Sequence, residues 1–376
     1  MVWAQVLLSF LRLGATSFGG NIVSLSRFES EFVERRSWLS HDRFLQLLAA
    51  ASLLPGPTAT QMAALIGKER AGAVGFLFGA VGYILPGALL VSIAGALYLR
   101  YAATSEMQAA FRGTAPMVAV VAIPAVVQLA AKSLHQIELG AIAAVAFVAA
   151  CLHSEPFSIM MGSGLVAVVV RNAKDRRNQH VPQAHQALAG YWLLAGGATS
   201  LQSAALFAKF AKIGALIFGN AYVVLACFQS ELVDRGQWVT HTQLLDAFAV
   251  AQMAPGPLLV AGTFLGYILQ GWQGALLSTL AIFLPGLLVA LMVIPFMNRW
   301  ARRPSVAAFL RGTSAGCIGL MVSAVLSMAA TSWTSLPALV LAGAGILAST
   351  VFRAHPILVL GSGAAAGLLG WLPGNG

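Results

Sequence analysis

Ten continuous apolar runs, at 2–25, 73–99, 107–131, 137–153, 156–171, 205–229, 272–297, 306–331, 337–352 and 356–372, constrain this chain more than any other feature. Each is close to the length that carries a helix across a ~30 Å hydrocarbon core. Of 376 residues, 59% are hydrophobic and 9% charged, where a soluble domain carries roughly 25% charged residues. No water-soluble fold of this size hides so much apolar surface, so the fold class is an all-α polytopic membrane protein. Continuous runs, as opposed to ten-residue alternations, count against a β-barrel. The first run lacks a charged n-region and a cleavage signal, and is expected to be a mature helix.

A net charge of +10 raises the question of nucleic acid. The basic residues are scattered over short loops, and no soluble domain gathers them into a patch, so no nucleic-acid partner is expected. Cytoplasmic loops and an anionic cargo account for the excess instead. Cys151, Cys227 and Cys317 lie far apart with no CxxC, and are expected to be buried structural thiols. Neither a metal site nor a cofactor is expected.

The chain repeats itself. FLRLGATSFGG (10–20) aligns with FAKIGALIFGN (210–220), and EFVERRSWLSH (31–41) with ELVDRGQWVTH (231–241). Pro55-Gly56-Pro57 meets Pro255-Gly256-Pro257 at the same offset of 200. After a one-residue deletion, LPG at 85–87 meets LPG at 284–286, and FRGT at 111–114 meets LRGT at 310–313. Two homologous halves follow: an N-terminal repeat over 1–170, a polar cytoplasmic linker over 171–186 and a C-terminal repeat over 187–376.

Loop charge sets their relative orientation. The loop 27–43 carries Arg27, Arg35, Arg36 and Arg43, while its counterpart has only Arg235. One helix later the bias reverses, with Arg100 opposed by Arg299, Arg302 and Arg303. Equivalent loops prefer opposite sides, the signature of inverted-topology repeats. Inversion needs an odd number of crossings per half. The segments 44–66 and 244–265 are therefore expected to be re-entrant Pro-Gly-Pro hairpins beside about ten crossings, with both termini outside.

Proline fixes φ and lacks an N–H, so each Pro-Gly-Pro should stop a helix. In a membrane such backbone is tolerated only against protein or a watery cavity. Pro57 suits the first position of a new helix, followed by Thr58, Thr60 and Gln61. The free N–H groups from Gly56 to Gln61, and at Gly256 and Pro257 in the second half, would then face an anion at the positive end of a half-helix. Kinks that merely pack are the alternative, and the LPG motifs at Pro86 and Pro285 are read as such kinks.

Arg12, mid-way along the first span, and Lys212, at the matching position, would supply compensating charge. A cation at the bilayer centre costs at least ~2.5 kcal/mol and needs a reason to be there. Arg112 and Arg311, in the paired RGT motifs, are embedded or near an interface. No acidic residue shares these spans, and the second half has only Glu231, Asp234 and Asp246. Snorkelling or carbonyl capping is the alternative for Arg12 and Lys212, and a place near a helix end for Arg112 and Arg311. Glycine in FGG (18–20) and FGN (218–220) permits close approach or unwinding, and Asn220 adds an amide donor. Segments 28–46 and 228–246 read as interfacial amphipathic helices. Glu31–Arg35 and Glu231–Arg235 stand at i,i+4, Trp38 and Trp238 suit headgroup anchors, and Ser40 and Thr240 suit N-caps.

No HExxH, GxSxG, P-loop or intramembrane carboxylate pair is present, so neither an enzyme nor an ATP-driven pump is expected. Transport would be secondary, with a channel, a membrane-embedded enzyme and a lipid flippase as rivals.

FGG followed by EFVERRSWLS, LLPGPTATQ, GYILPGALL and FRGTAP resembles the chromate ion transporter family in its two-domain form. FGNAYVV, ELVDRGQWVT, AQMAPGPLL, FLPG and LRGT resemble that family's C-terminal domain. The resemblance implies a multi-pass protein of the plasma (inner) membrane that exports chromate from the cytoplasm and confers chromate resistance, with sulfate as near-isosteric competitor. Where family members commonly carry asparagine or serine after the first Pro-Gly-Pro, this chain has Thr58-Ala59-Thr60-Gln61, which keeps the hydroxyls. On this reading the substrate site comprises Arg12, Lys212, Gly56, Pro57, Thr58, Thr60, Gln61, Gly256, Pro257, Asn220, Arg112 and Arg311. The partners are the oxyanion and the lipid bilayer, and a homodimer is left open.

Overall fold

The computed structural model describes residues 1–18, 20–176, 201–217, 223–293, 303–352 and 354–372, and its regular structure there is helical. The first half runs α1 (Val2–Thr16), α2 (Gly20–Glu29) passing into a π-helical turn (Ser30–Arg35), α3 (His41–Leu53), α4 (Thr58–Tyr101), α5 (Ser105–Ser133), α6 (Ile137–Cys151) and α7 (Pro156–Arg176). The second runs α8 (Leu201–Ala215), α9 (Val223–Phe228) passing into a π-helical turn (Gln229–Asp234), and α10 (His241–Met253). A 3₁₀ turn (Leu258–Val260) then leads into α11 (Ala261–Val293), α12 (Pro304–Ser332), α13 (Leu336–Thr350) and α14 (Pro356–Leu368). Elements α1–α7 thus recur in order as α8–α14. Among the described residues five helical segments are long and apolar enough to cross a membrane, and α1, α6, α13 and α14 are shorter apolar helices.

Local chemistry explains the helix starts. Ser40 Oγ accepts the Arg43 N–H at 3.2 Å, capping α3. Thr240 accepts the Gln243 N–H at 3.1 Å, and the Gln243 side chain accepts the Thr240 N–H at 2.8 Å, a full capping box on α10. Both expected N-caps are present.

Neither α4 nor α11 is one rod. The backbone leaves helical angles at Ala71 (φ −142, ψ 26) and Gly72 (φ 62, ψ −148), and again at Gln270 (φ −145, ψ 27) and Gly271 (φ 60, ψ −146). Each helix folds back there into two antiparallel limbs. They touch so closely that a Cβ on Gly67 would collide with the Gly75 carbonyl, and one on Gly266 with that of Gly274. Limb 58–70 therefore pairs with α3 around the first Pro-Gly-Pro, and limb 73–101 is the long helix that follows.

Several expectations need correction. The runs 2–25 and 205–229 are not continuous helices: α1 ends at Thr16, leaving Ser17 and Phe18 non-helical before α2, and α8 ends at Ala215. Segments 28–46 and 228–246 are not single amphipathic helices. The chain turns after each π segment, with Ser37 at φ 49 and Gln237 at φ 50, before α3 and α10 begin. Trp38 is half-buried and packs against Phe32, with ring centroids 4.8 Å apart. Helix α7 runs to Arg176, and residues 177–186 of the expected linker lie outside the described residues, so its bounds stand as an expectation. Cys227 and Cys317 are buried free thiols, but Cys151 is exposed.

Packing interleaves the halves. Helix α1 lies on α4 and α8 on α11, while α4 and α11 pack against each other. Helix α5 packs on α13 and α14 of the second half, and α12 packs on α6 and α7 of the first. Each of these contacts has its counterpart at the equivalent positions. The RGT glycines sit at two of the crossings: a side chain on Gly113 would strike Gly363 of α14, and one on Gly312 would strike Ser163 of α7. Between helices in lipid the hydrophobic drive is weak, so close van der Waals contact of this kind does the holding.

Candidate functional site

Two tips and two helix breaks meet in the middle of this arrangement. Gly56 has φ +124 and Gly256 φ +96, backbone that L side chains rarely adopt, so glycine is required at both tips. The Gly56 N–H donates to the Ile217 carbonyl at 2.5 Å, and the Gly256 N–H donates to the Ser17 carbonyl at 2.9 Å. Ser17 and Ile217 are equivalent positions in the repeat. Each tip therefore closes on the break in the other half's first helix, which satisfies backbone that lipid would leave unpaired.

The LPG motifs belong to the same crossing. α4 and α11 continue through Pro86 and Pro285 without leaving helical angles there, so neither motif ends its helix. Instead the following glycine gives room to the opposite tip. A Cβ on Gly286 would meet Gly56 Cα, and one on Gly87 would meet the Pro255 carbonyl.

Pro57 is the N-cap, with φ −73 and ψ 105, and Thr58 is the first helical residue, one position later than expected. Thr58, Thr60 and Gln61 are buried. Gln61 Nε2 donates to the Pro55 carbonyl at 2.7 Å and to the Gly286 carbonyl at 3.0 Å, tying limb 58–70 to α11. Its Oε1, Thr60 Oγ1 and Ser17 Oγ are buried without a hydrogen-bond partner among the described residues. The second half does not repeat this polarity. Leu258, Leu259, Val260 and Ala261 occupy the corresponding positions, behind a buried Gly256 and Pro257. Nothing but its place beside FGG marked Ser17 in the sequence.

The cations do not gather at the tips. Arg12 is exposed and lines an open cleft of about 560 Å³ with Gln5, Leu8, Ser9, Arg36 and Trp38. Among the described residues no carboxylate pairs with it. Lys212 is not unpaired, which corrects the expectation from its span: it bonds Glu155 and, at 3.0 Å, Glu231. The glutamates at equivalent positions also differ in their partners. Glu31 is taken by Arg35 at 3.1 Å and Arg36 at 2.6 Å. In the second half position 36 becomes Gly236, and Arg235 donates to the His153 carbonyl at 2.8 Å. Glu231 is thereby left for Lys212, so the expected Glu231–Arg235 pair is replaced, whereas Glu31–Arg35 is present. Glu155 comes from the turn between α6 and α7, far away in sequence.

Arg112 and Arg311 are exposed on α5 and α12, and Asn220 lies outside the described residues. Arg27, read in the sequence only as loop charge, bonds the Thr16 carbonyl and so caps the last turn of α1 beside the break.

Residues 4–168 and 204–371 match the family model described as Chromate transporter. The chain is 29% identical to the chromate transport protein of Cupriavidus metallidurans, over 95% of this chain and 91% of that one. It is 29% identical to the chromate transport protein of Pseudomonas aeruginosa, over 99% of this chain and 92% of that one. An uncharacterized transporter of Bacillus subtilis is 29% identical over 36% of this chain and 77% of its own length. No solved structure matches. The relatives are transport proteins and not enzymes, and with the apolar helices above they make this a multi-pass membrane protein. Two matched regions, one in each repeat and together spanning most of the chain, show that it belongs to the chromate transporter family.

Proposed function

We propose that this chain is a secondary transporter that carries chromate, with sulfate as competitor, out of the cytoplasm by alternating access, and so confers chromate resistance. The observation that carries the reading is the buried start of limb 58–70. Pro57 offers no side-chain cap there, and the buried Thr60 hydroxyl has no hydrogen-bond partner among the described residues. A tetrahedral oxyanion accepts from N–H and O–H donors and meets the positive end of a helix dipole at such a place. Arg12 and Arg36 in the open cleft would draw the anion in from the surface. Lys212 serves it only when the bonds to Glu155 and Glu231 open. Both tips are buried here, so access requires the hairpins to withdraw from the helix breaks.

The inverted arrangement is part of the same proposal. Halves 1–170 and 187–376, two re-entrant Pro-Gly-Pro hairpins and a cytoplasmic linker are supported by the loop charges and by the reciprocal contacts; the broken run 2–25, which returns on itself with Phe10 against Phe28 and Phe32, is not counted as a crossing. Tags in the linker and at the C-terminus test it, since a linker reached from outside overturns the assignment. A doubly charged anion leaving a negative-inside cell gains ~2.3 kcal/mol per charge per 100 mV. Everted vesicles should therefore accumulate labelled chromate under an inside-positive potential, less so with excess sulfate. Equal accumulation in vesicles lacking the protein would refute the function.

A further inference from the structure

Asp246 is 2% exposed, on α10, the first limb of the second hairpin. Its Oδ2 accepts the Tyr98 O–H at 2.8 Å, and its Oδ1 is buried without a partner among the described residues. Tyr98 belongs to the first half, on limb 73–101, so the bond crosses the seam. Among the described residues, the elements packed against α10 bring no cation to it. The preceding π turn carries Glu231 and Asp234, engaged by Lys212 and Gln229. Glu106, Arg112 and Lys132 of α5 and Arg311 of α12 are exposed, and α14 has no ionisable residue. Tyr267 of α11 packs on Trp272, and His241, at the start of α10 itself, bonds Thr331. Of the ionisable groups of α4, only Tyr98 reaches Asp246. The repeat offers a contrast: the equivalent position in α3 is Gln46, exposed and accepting from Arg43.

We propose that Asp246, clasped by Tyr98 at the seam, is a proton-binding site that fills and empties as the second hairpin moves. An ionised carboxylate in this place would be buried with one oxygen unsatisfied, which is costly; the neutral acid is not. The closed hairpin therefore holds the proton, and a hairpin withdrawn into water releases it. Asp246 lies eight residues before Ala254, roughly 12 Å along the helix axis from the tip. An oxyanion bound at the crossing repels the ionised form and favours the protonated one, so proton and anion travel together. One net negative charge moves per chromate instead of two. This rests on the transport reading above.

Purified protein in liposomes, voltage-clamped and kept alkaline so that chromate stays dianionic, tests it. With one proton per anion, a one-unit pH gradient shifts the equilibrium chromate ratio tenfold toward the alkaline side. Asp246→Asn, which keeps the acceptor for Tyr98, should exchange labelled chromate but show no such shift. Tyr98→Phe removes a donor that stabilises the carboxylate, and should move the pH response to the alkaline side. Infrared spectra at neutral pH should show a protonated-carboxyl band that Asp246→Asn lacks, whether or not chromate is moved. A wild-type ratio insensitive to the pH gradient, a tenfold shift surviving in Asp246→Asn, or absence of that band overturns the proposal. Failure of wild-type exchange with the band present refutes chromate transport instead.

Discussion

Replacing Gly56 by alanine should damage the crossing more than replacing its repeat partner Gly256, although both occupy the same turn. Each has positive φ, +124 and +96, and holding an L residue there costs about 1–3 kcal/mol. The surroundings differ. A Cβ on Gly56 would lie 2.8 Å from Gly286 Cα and 2.5 Å from Gln61 Nε2. The first is backbone and cannot swing aside, so overpacking adds about 1–3 kcal/mol. The second displaces an amide bonded to two carbonyls, at about 1 kcal/mol for each bond lost. Around Gly256 the nearest atoms are the Tyr83 carbonyl at 3.5 Å and the Gly14 carbonyl at 3.6 Å, ordinary contacts. Gly56→Ala should thus lose about 4–8 kcal/mol and Gly256→Ala about 1–3. Thermal unfolding of the purified protein, followed by tryptophan fluorescence, should separate them by several degrees, since each kcal/mol moves Tm by about 2–4 °C or less in a chain this long. Gly286→Ala, with overpacking but no positive φ, should fall between wild type and Gly56→Ala. A Gly256→Ala protein as unstable as Gly56→Ala would show that the tips are not seated as described.

Arg12→Gln should abolish chromate uptake into everted vesicles with Tm unchanged, because an exposed side chain without an ion pair contributes within about 0.5 kcal/mol; persistent transport would remove Arg12 from the mechanism. Lys212→Met should act on stability, because it leaves Glu231, whose side chain is 8% exposed, facing Glu155. Breaking a buried pair costs 3–5 kcal/mol, and the 40% exposure of Lys212 reduces this to about 1–2. Adding Glu155→Gln should recover part of the loss, and an unchanged Tm in Lys212→Met would refute the ion pairing. Thr60→Val removes a hydroxyl that has no partner among the described residues, so Tm should hold or rise while KM for chromate rises. A fall in Tm with KM unaltered would assign that hydroxyl to packing.

What could be read in the sequence was whatever recurs or is local. The two Pro-Gly-Pro tips, the 200-residue offset and the caps at Ser40 and Thr240 are written in short motifs, and each appears where the motif puts it. What could not be read is the contact between halves. Nothing in LPG says that its glycine faces the other half's tip, since a proline inside a long apolar run reads equally well as a kink. Lys212 reads as unpaired because its own span holds no carboxylate, while Glu155 arrives from a turn in the other half. Arg12 and Lys212 looked alike because they are aligned, yet the change from Arg36 to Gly236 gives their equivalent glutamates different partners. Asp246 stood out only as one of three acids in its half, and its partner Tyr98 is 148 residues away.

The exchange of hydrogen bonds between the halves also sets a timetable for biosynthesis. The Gly56 N–H must wait for Ile217, 161 residues further along the chain (217 − 56), and the Ser17 carbonyl must wait for Gly256. At ~5–20 residues per second this is roughly ten to thirty seconds during which an inserted first half holds an unfinished hairpin. Helix α5 likewise has no α13 or α14 to lie on until the last helices emerge. The newborn N-terminal half is a set of membrane-inserted helices without a closed interior, exposed to quality control until its twin arrives. A chain interrupted in the linker should be degraded when made alone and rescued when both pieces are made in the same cell.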